Sequence, residues 1–160
     1  MLYALEIPEL FGLTLGDTEF ASAAAAWEAL PELMRQHLEG RYAVFDFAGR
    51  KRAFPPTQAE INRYPPVIVR THPDTGRKCL YVMRDDCTGI EGIGEQKAEA
   101  LIAALADHIV KSAFIYRHQW RVGDLLMWVN CTVQHQAIQD YDLPQRRLMH
   151  RTTMGGTVPL

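Results

Sequence analysis

The chain has 160 residues, a formal net charge of −2 at pH 7 and 48% hydrophobic residues. This length suits one domain with a sizeable core, and the near-neutral charge gives no electrostatic reason to expect a nucleic-acid or membrane partner. The three cysteines form no close pair, which argues against a disulfide framework. Without a transmembrane stretch of about 18 apolar residues or a secretory signal pattern, we expect a cytoplasmic protein.

The first half of the chain is predicted to alternate short strands with short helices. In chain order, the pattern predicts a strand at residues 2–7, a loop at 9–16, helices after Ser22 and Pro31, a strand at 42–47 and a charged, proline-rich surface loop over 49–66. Ser22 is a favoured N-cap for the alanine-rich helix, because its hydroxyl can accept a backbone N–H. Pro31 suits the first turn of the second helix, which Gly40 ends.

The middle of the chain is predicted to hold a β-hairpin and a longer helix. Residues 67–71 and 79–83 are largely apolar and flank Pro73-Asp74-Thr75-Gly76, a turn-forming composition. Residues 95–110 carry apolar side chains at helical spacing, which predicts an amphipathic helix. This helix is expected to pack outside the strands.

The last third, residues 115–154, is predicted to contain three short strands joined by polar turns. The second strand carries His135, and on the third Arg147, Met149 and Arg151 share one face because strand side chains alternate. A turn between His135 and Arg147 would let these two strands pair antiparallel. One site could then hold a metal and an anionic ligand together. The alternative is a hydrogen-bonded core histidine and two solvated arginines.

Six blocks of sequence carry a family resemblance. They are LYALEIP, GDTEFASA, VIVRTHPDTGRKCLYV, YRHQWRVGD, GDLLMWVN and TVQHQAIQDYDLPQRRLMHRTTM. In this order they resemble the C-terminal part of the taurine / 2,4-dichlorophenoxyacetate dioxygenase (TauD/TfdA) family of Fe(II)- and 2-oxoglutarate-dependent enzymes. The resemblance implies a mainly β fold with flanking helices. Residues 1–160 would form an incomplete double-stranded β-helix, a cupin-like jelly roll, as the C-terminal part of a dioxygenase domain.

The resemblance implies four site residues. His135 corresponds to the C-terminal iron ligand, Arg147 to the arginine that pairs with the distal carboxylate of 2-oxoglutarate, and Arg151 to a second cation, for a substrate anion. Thr18 corresponds to the threonine near the 2-oxoglutarate carboxylate; the alternative is that Asp17 and Thr18 only form a turn. The residue types suit these roles, since such Fe(II) sites use two histidines and a carboxylate, and the planar fork of arginine matches a carboxylate.

Two departures from the family pattern bear on the iron site. Relatives take their other two iron ligands from a His-x-Asp motif that precedes the segment matching LYALEIP. The one His-x-Asp of this chain, at His72 and Asp74, is assigned to the hairpin turn and not to metal. Where relatives commonly have Trp-Asp-Asn-Arg, this chain has Val129 and Cys131 in place of the acid and the base. The change removes an ion pair that would support the iron ligand.

Two hypotheses follow for the function. In the first, the chain is part of an Fe(II)/2-oxoglutarate dioxygenase that hydroxylates a small, anionic organic substrate, and the chain alone is inactive. In the second, it is a catalytically inactive jelly-roll fragment that at most binds carboxylates or a partner chain. An incomplete jelly roll exposes apolar faces and strand edges, so we expect self-association or pairing with a missing N-terminal region. Alternatively, the apolar residues 10–13 fold over the gap.

Overall fold

The computed structural model describes residues 1–45 and 67–154. Its strands are β1 (Leu2–Glu6), β2 (Glu9–Leu10), β3 (Leu13–Thr14), β4 (Thr18–Ser22), β5 (Ala43–Phe45), β6 (Val69–Thr71), β7 (Lys78–Leu80), β8 (Cys87–Ile90), β9 (Ile115–His118), β10 (Leu125–Leu126), β11 (Val133–Ala137) and β12 (Leu148–Arg151). The helices are α1 (Ala23–Glu28), α2 (Glu32–Leu38) and α3 (Glu95–Ile109), followed by a 3-10 turn at Ser112–Phe114. The loop predicted over 49–66 lies outside the described residues.

The strands form two three-stranded antiparallel sheets and three two-stranded ribbons. In the first sheet β1 lies between β10 and β12, and in the second β4 lies between β9 and β11. The ribbons pair β2 with β3, β5 with β8 and β6 with β7. Both central strands come from the beginning of the chain, while their four partners come from its last third. The two ends of the described chain are therefore held together in both sheets.

One face of the first sheet combines apolar and basic side chains. Leu2 lies opposite Leu126 on one side and Arg151 on the other, and Ala4 lies opposite Met149. Because alternate residues point to the same face, these five side chains share it. Ala4 is fully buried. The predicted common face of Met149 and Arg151 is confirmed.

One face of the second sheet is largely aromatic. Phe20 on β4 lies opposite Tyr116 on β9 and His135 on β11. Thr18, two residues before Phe20, points to the same face and lies opposite His118. This face therefore carries His135, which the resemblance assigns to the metal, and Thr18, which it assigns to 2-oxoglutarate.

The main hydrophobic core lies between α3 and the neighbouring strands and helices. Along α3, buried residues recur every three or four positions, at Ala98, Ile102, Leu105 and Ile109. This spacing places them on one face of the helix, as predicted from the sequence. They join a cluster that includes Trp27 of α1. Truncating one of the larger members to alanine typically costs about 2–5 kcal/mol.

Several local predictions are confirmed. The hydroxyl of Ser22 accepts a hydrogen bond from the backbone N–H of Ala25 at 3.1 Å, as expected of an N-cap. The second helix begins directly after Pro31. The hairpin of the middle region forms from β6 and β7. The strand predicted at 42–47 is observed at Ala43–Phe45, and residues 46 and 47 lie outside the described part of the chain.

The prediction of a loop at residues 9–16 is wrong, because β2 and β3 pair there as a hairpin. Its two-residue turn has positive φ angles at both central residues, 51° at Phe11 and 78° at Gly12. Glycine adopts this conformation freely, but phenylalanine rarely does, so the sequence did not suggest the turn. Phe11 is 95% exposed at the tip. The alternative prediction was that residues 10–13 fold over an apolar gap. The exposure of Leu10, Phe11 and Leu13 contradicts it.

The predicted pairing of the strands around His135 and Arg147 is also wrong. The strand of His135, β11, pairs with β4, and β12, which begins just after Arg147, pairs with β1. The chain between them crosses from one sheet to the other and does not form a hairpin. The apolar run predicted as a strand at 125–129 is shorter than expected, since only Leu125–Leu126 pairs.

Candidate functional site

Thr18 and Arg147 meet at the start of β4. The Nη2 group of Arg147 donates a hydrogen bond to the Thr18 hydroxyl at 3.1 Å. Thr18 is 1% exposed. The Nε atom of Arg147 is also buried, and it has no hydrogen-bond partner in the described part of the chain. Two residues that the family resemblance links to 2-oxoglutarate are thus in direct contact, and the arginine keeps its Nε donor unused.

The Arg147 guanidinium is a poorly solvated cation. Burial lowers its pKa from the ordinary arginine value, an effect opposed by Tyr141 and Asp17. Within residues 1–45 and 67–154, no carboxylate forms a salt bridge with Arg147. A cation withdrawn from water and without a direct counter-ion favours the binding of an anion. Its planar fork and the adjacent hydroxyl fit a carboxylate group, so these residues suit the distal end of 2-oxoglutarate.

Trp120 completes this corner of the site, and the sequence analysis had missed it. Its indole N–H donates a hydrogen bond to the Thr18 hydroxyl at 2.9 Å, and its ring lies 5.8 Å from the Arg147 guanidinium carbon. Trp120 is fully buried. The one indication in the sequence was a tryptophan beside the polar turn before β10, a residue that tends to be buried with its N–H satisfied.

Hydrogen bonds to the carboxylates of Asp140 and Asp17 hold the segments of Thr18 and Arg147 close together. The backbone N–H of Gly16 donates to Asp140 at 2.7 Å, which ties the segment before β4 to the segment before Arg147. Asp17 is buried and accepts a hydrogen bond from Arg117 at 2.7 Å. This pairing raises the pKa of Arg117 above the ordinary arginine value. Sequence reasoning had considered Asp17 only as a turn residue.

Gly16 lies directly against the arginine. Its φ angle is +72°, and a Cβ atom placed on it would lie 2.9 Å from Cδ of Arg147 and 3.0 Å from Cε1 of Tyr141. Glycine is therefore required on two grounds, the left-handed backbone and the close approach of the side chains. The side chain of Arg147 therefore packs against the segment Gly16-Asp17-Thr18.

His135 lies on β11 among aromatic rings. Its imidazole stacks on Phe20 at 5.9 Å between centroids and contacts Trp128 at 4.8 Å, while part of the side chain is exposed. Partial removal from water lowers the pKa of His135, and the charges of Arg151 and the N-terminal amine lower it further. The neutral form of the ring is favoured, which is the form that binds metal ions.

Arg151 lies on the first sheet, whereas His135 lies on the second. Arg151 is exposed at the end of β12, opposite Leu2, and its charge acts on His135. The prediction that His135 and Arg147 lie on neighbouring strands is thus wrong: His135 lies on β11 of the second sheet, and Arg147 directly precedes β12 of the first. The site is formed between the sheets, with the arginines contributed from one side and His135 and Thr18 from the other.

The described residues do not complete an iron site. Among them, no group of three or more His, Cys, Asp or Glu side chains could hold a metal ion. His72 takes part in turn contacts, since its Nδ1 accepts hydrogen bonds from the backbone N–H groups of Asp74 at 3.2 Å and Thr75 at 3.3 Å. These contacts agree with the sequence assignment of His72 and Asp74 to a turn. The described residues therefore offer an arginine suited to an anion, whereas His135 has no group of companion metal ligands among them.

The segment before β11 is held without the acid and base usual in the family. The indole N–H of Trp128 donates to the side-chain oxygen of Asn130 at 2.7 Å. The backbone carbonyl of Cys131 accepts a hydrogen bond from the Cys79 thiol at 2.8 Å. Burial raises the pKa of Cys79 to about 11, so this thiol stays protonated and acts as a donor. A thiol contact thus holds the segment in which Val129 and Cys131 replace the acid and the base of the family pattern.

Comparison with known proteins gives a consistent family. Residues 1–153 match the family described as "Taurine catabolism dioxygenase TauD, TfdA family". The alpha-ketoglutarate-dependent 2,4-dichlorophenoxyacetate dioxygenase of Cupriavidus pinatubonensis is 36% identical over 159 residues, which cover 96% of this chain and 53% of the relative. The chain thus spans about half the length of the curated relatives it matches.

Solved structures agree with this match. A taurine dioxygenase from Burkholderia xenovorans superposes with a TM-score of 0.81 at 30% identity, covering 99% of this chain and 52% of the other. A structure described as AAD-2 in complex with Mn(II) and N-oxalylglycine superposes with a TM-score of 0.80 at 29% identity, covering 99% and 63% respectively. These likenesses confirm the predicted fold, part of a jelly roll. No helix in the described residues is long and apolar enough to cross a membrane.

Proposed function

This chain belongs to the TauD/TfdA family, and we propose that it supplies the 2-oxoglutarate-binding part of an Fe(II)- and 2-oxoglutarate-dependent dioxygenase. The observation that carries the proposal is the contact between Thr18 and Arg147, in which a partly desolvated arginine keeps its buried Nε donor unused. A structural arginine in such a position would be expected to have a carboxylate partner. Here the partner is the distal carboxylate of 2-oxoglutarate.

The chain's own residues bind and orient this co-substrate. Arg147 and Thr18 hold the distal carboxylate, and the packing of Arg147 against Gly16 and Trp120 fixes its direction. Fe(II) and 2-oxoglutarate together supply the reducing power for oxygen activation, with 2-oxoglutarate converted to succinate and CO2. His135, kept neutral and partly withdrawn from water, is the metal ligand that this chain provides.

The remaining metal ligands come from outside the described residues. One histidine cannot hold Fe(II) in a defined geometry, since the typical site uses two histidines and a carboxylate. We therefore expect the chain alone to convert no 2-oxoglutarate. Addition of a segment that carries the family's His-x-Asp motif is expected to restore turnover.

The substrate is proposed to be a small organic anion. Relatives are named for 2,4-dichlorophenoxyacetate, which carries a carboxylate, and taurine, which carries a sulfonate. In this chain Arg151 is exposed on the face of the first sheet that carries Met149, and its charge reaches His135. It offers a second cation near the metal ligand, separate from the 2-oxoglutarate arginine.

A partner segment is proposed to cover the face between the sheets. Tyr116 is 59% exposed and Met127 66% exposed, and both line an apolar groove with Phe20 and Leu126. Exposed apolar patches of this kind favour association. The chain is expected to self-associate or to pair with the region of the family that it does not span. Sedimentation of the purified chain tests this, and a monodisperse monomer throughout the micromolar range would contradict it.

The second candidate is a catalytically inactive fragment that binds carboxylates or a partner chain. It is favoured by the replacement of the family's acid and base with Val129 and Cys131, and by His135 having no companion ligands among the described residues. Both candidates share the Arg147 site. They differ in whether a metal-dependent reaction follows binding.

Succinate formation separates the two candidates. The purified chain is incubated with Fe(II), 2-oxoglutarate and oxygen, alone and after co-expression with the His-x-Asp-bearing segment of a relative. The dioxygenase proposal predicts no succinate from the chain alone and His135-dependent succinate from the complex. A complex that binds 2-oxoglutarate but forms no succinate would favour the inactive fragment. Turnover by the chain alone would show that it contains a complete metal site.

A further inference from the structure

We propose that Trp120 is a positioning residue, which commits the Thr18 hydroxyl to donate its hydrogen to the bound carboxylate. The inference rests on the proposed function, because it assumes that 2-oxoglutarate binds at Arg147. It goes beyond that proposal by giving a role to a tryptophan whose contacts are with Thr18 and Arg147. The evidence is the set of hydrogen bonds around one oxygen atom.

The Thr18 oxygen accepts two hydrogen bonds. One comes from the indole Nε1 of Trp120 at 2.9 Å and the other from Nη2 of Arg147 at 3.1 Å. Indole and guanidinium N–H groups are donors only, so the threonine must be the acceptor in both. A hydroxyl oxygen has two lone pairs, and both are therefore occupied. The only remaining hydrogen-bonding capacity of Thr18 is its own O–H.

The Thr18 hydrogen has no acceptor in the described part of the chain. No hydrogen bond donated by its hydroxyl is formed within residues 1–45 and 67–154. The residue is 1% exposed, so bulk water has little access to it. A buried hydroxyl with two donors on its oxygen and a free hydrogen is prepared for an acceptor that arrives with the ligand. A carboxylate oxygen held by Arg147 is such an acceptor.

Trp120 has two effects on this hydroxyl. It prevents the hydroxyl from rotating to present a lone pair, which would repel a carboxylate oxygen. It also polarises the O–H bond, because a group that accepts hydrogen bonds becomes a stronger donor. The indole is held firmly for this task, since it is fully buried and the ring of His118 contacts it at 4.6 Å between centroids.

Substitution of Trp120 by phenylalanine distinguishes the effect of the indole N–H from the effect of an aromatic ring at this position. Trp120→Phe keeps an aromatic ring beside Arg147 and removes the hydrogen bond to Thr18 together with part of the buried ring volume, an effect that the Thr18→Val background controls for. Thr18→Val removes the hydroxyl in a side chain of the same shape, and Thr18→Ser retains the hydroxyl. The four chains of a double-substitution cycle are the wild type, Trp120→Phe, Thr18→Val and the combination.

The experiment measures binding of 2-oxoglutarate to these chains without metal, by NMR titration of backbone amides such as that of Gly16. We expect Trp120→Phe to weaken binding about fivefold, the effect of one net hydrogen bond. In the Thr18→Val background the same change should have no further effect, because the hydroxyl it acts on is gone. The wild-type Trp120 indole resonance, identified by its loss in Trp120→Phe, should move on addition of 2-oxoglutarate. It should also move in ligand-free Thr18→Val but stay in place in Thr18→Ser.

The outcomes distinguish this inference from the proposed function. Arg147-dependent binding that Trp120→Phe leaves unchanged would overturn the role of Trp120 alone. Equal weakening by Trp120→Phe in the wild-type and Thr18→Val backgrounds would also overturn it, because the tryptophan would then act only through packing. Absence of Arg147-dependent binding in the wild-type chain would overturn the proposed function and this inference with it.

Discussion

The hydrogen bond from Arg147 to the Thr18 hydroxyl joins two residues 129 positions apart in the chain. It connects the residue that precedes β12, in the first sheet, with the first residue of β4, in the second. The contact is formed by a half-buried cation whose Nε atom is buried without a partner and which has no direct counter-ion among the described residues. We interpret this arrangement as an anion-binding site.

Replacement of Arg147 by methionine should leave stability nearly unchanged or raise it. The arginine is a desolvated cation whose removal in favour of an apolar side chain of similar length relieves a cost. We expect the free energy of unfolding in urea to change by less than about 1 kcal/mol. Leu105→Ala in the core is the reference for a structural residue and should lose about 2–5 kcal/mol. A loss of that size in Arg147→Met would mean that the arginine serves the fold and not a ligand.

Substitution of Gly16 by alanine should destabilise the protein more than the same change at Gly12. Both glycines have positive φ, +72° and +78°, so both variants carry the backbone strain of about 1 kcal/mol. Only at Gly16 would the new Cβ meet Arg147 and Tyr141, at 2.9 and 3.0 Å, while nothing lies within 4 Å at Gly12. We expect an additional loss of about 1–3 kcal/mol in urea unfolding. Equal losses in the free energy of unfolding at the two positions would contradict the close packing of Arg147 and Tyr141 against Gly16.

The pKa of His135 should lie below its ordinary value and depend on Arg151. Desolvation lowers it first, and the positive charge of Arg151 adds to the effect. Because the folded-state pKa is depressed, the folded protein resists protonation of this ring. The associated stability is present above the ordinary histidine pKa of about 6.5 and is lost as the pH falls through the folded-state value.

NMR titration of the His135 ring protons measures this pKa directly. Arg151→Gln should move the midpoint upward, toward the ordinary histidine value, and the control Arg146→Gln should not. A midpoint that does not respond to Arg151→Gln would show that the second arginine lies too far from the histidine to serve the same site.

The three cysteines should differ in reactivity. Burial raises the pKa of Cys79 to about 11 and also raises that of Cys87, so both thiols stay protonated at pH 8. Cys131 is partly exposed. Mass spectrometry after brief iodoacetamide treatment should show one label on the native chain, absent in Cys131→Ser, and labels on all three cysteines after unfolding. Rapid native labelling of Cys79 would contradict its burial and its hydrogen bond to Cys131.

Alkaline pH tests the same thiol through stability. Because the folded-state pKa of Cys79 is raised, the unfolded chain releases the proton first as the pH rises. The free energy of unfolding should therefore decrease from about pH 8.5 toward the folded-state value of about 11. Cys79→Ala should show a smaller decrease over this range.

Local features of the fold could be predicted from the sequence, and long-range contacts could not. The cap at Ser22 and the face of α3 follow from interactions between residues three or four positions apart, which the sequence displays directly. The pairing of β11 with β4 joins segments more than 100 residues apart, and the sequence offered no way to choose it over a local hairpin. The turn at Phe11 was missed because it uses a conformation that phenylalanine rarely adopts.

In the candidate site, too, local features could be predicted from the sequence and long-range contacts could not. Arg147, Arg151, His135 and Thr18 were proposed from the family resemblance, and their roles as ligands stay predictions. Trp120 was missed because its contact with Thr18 spans 102 residues and depends on the packing of both sheets. The alternation of Met149 and Arg151 was predicted correctly, because strand periodicity is local.

The most direct test of the central claim is a calorimetric titration of 2-oxoglutarate into the metal-free chain, the Arg147→Met variant and the Arg146→Met control. Arg146 is an exposed neighbour whose nearest carboxylate contact, with Glu6, is 3.7 Å. We predict saturable binding at one site in the wild type and in Arg146→Met, and at least a roughly tenfold weaker affinity in Arg147→Met, as expected for loss of a charge-assisted, bidentate contact. Equal binding by all three chains, or no binding by the wild type, would contradict the assignment of Arg147 and Thr18 as the 2-oxoglutarate site.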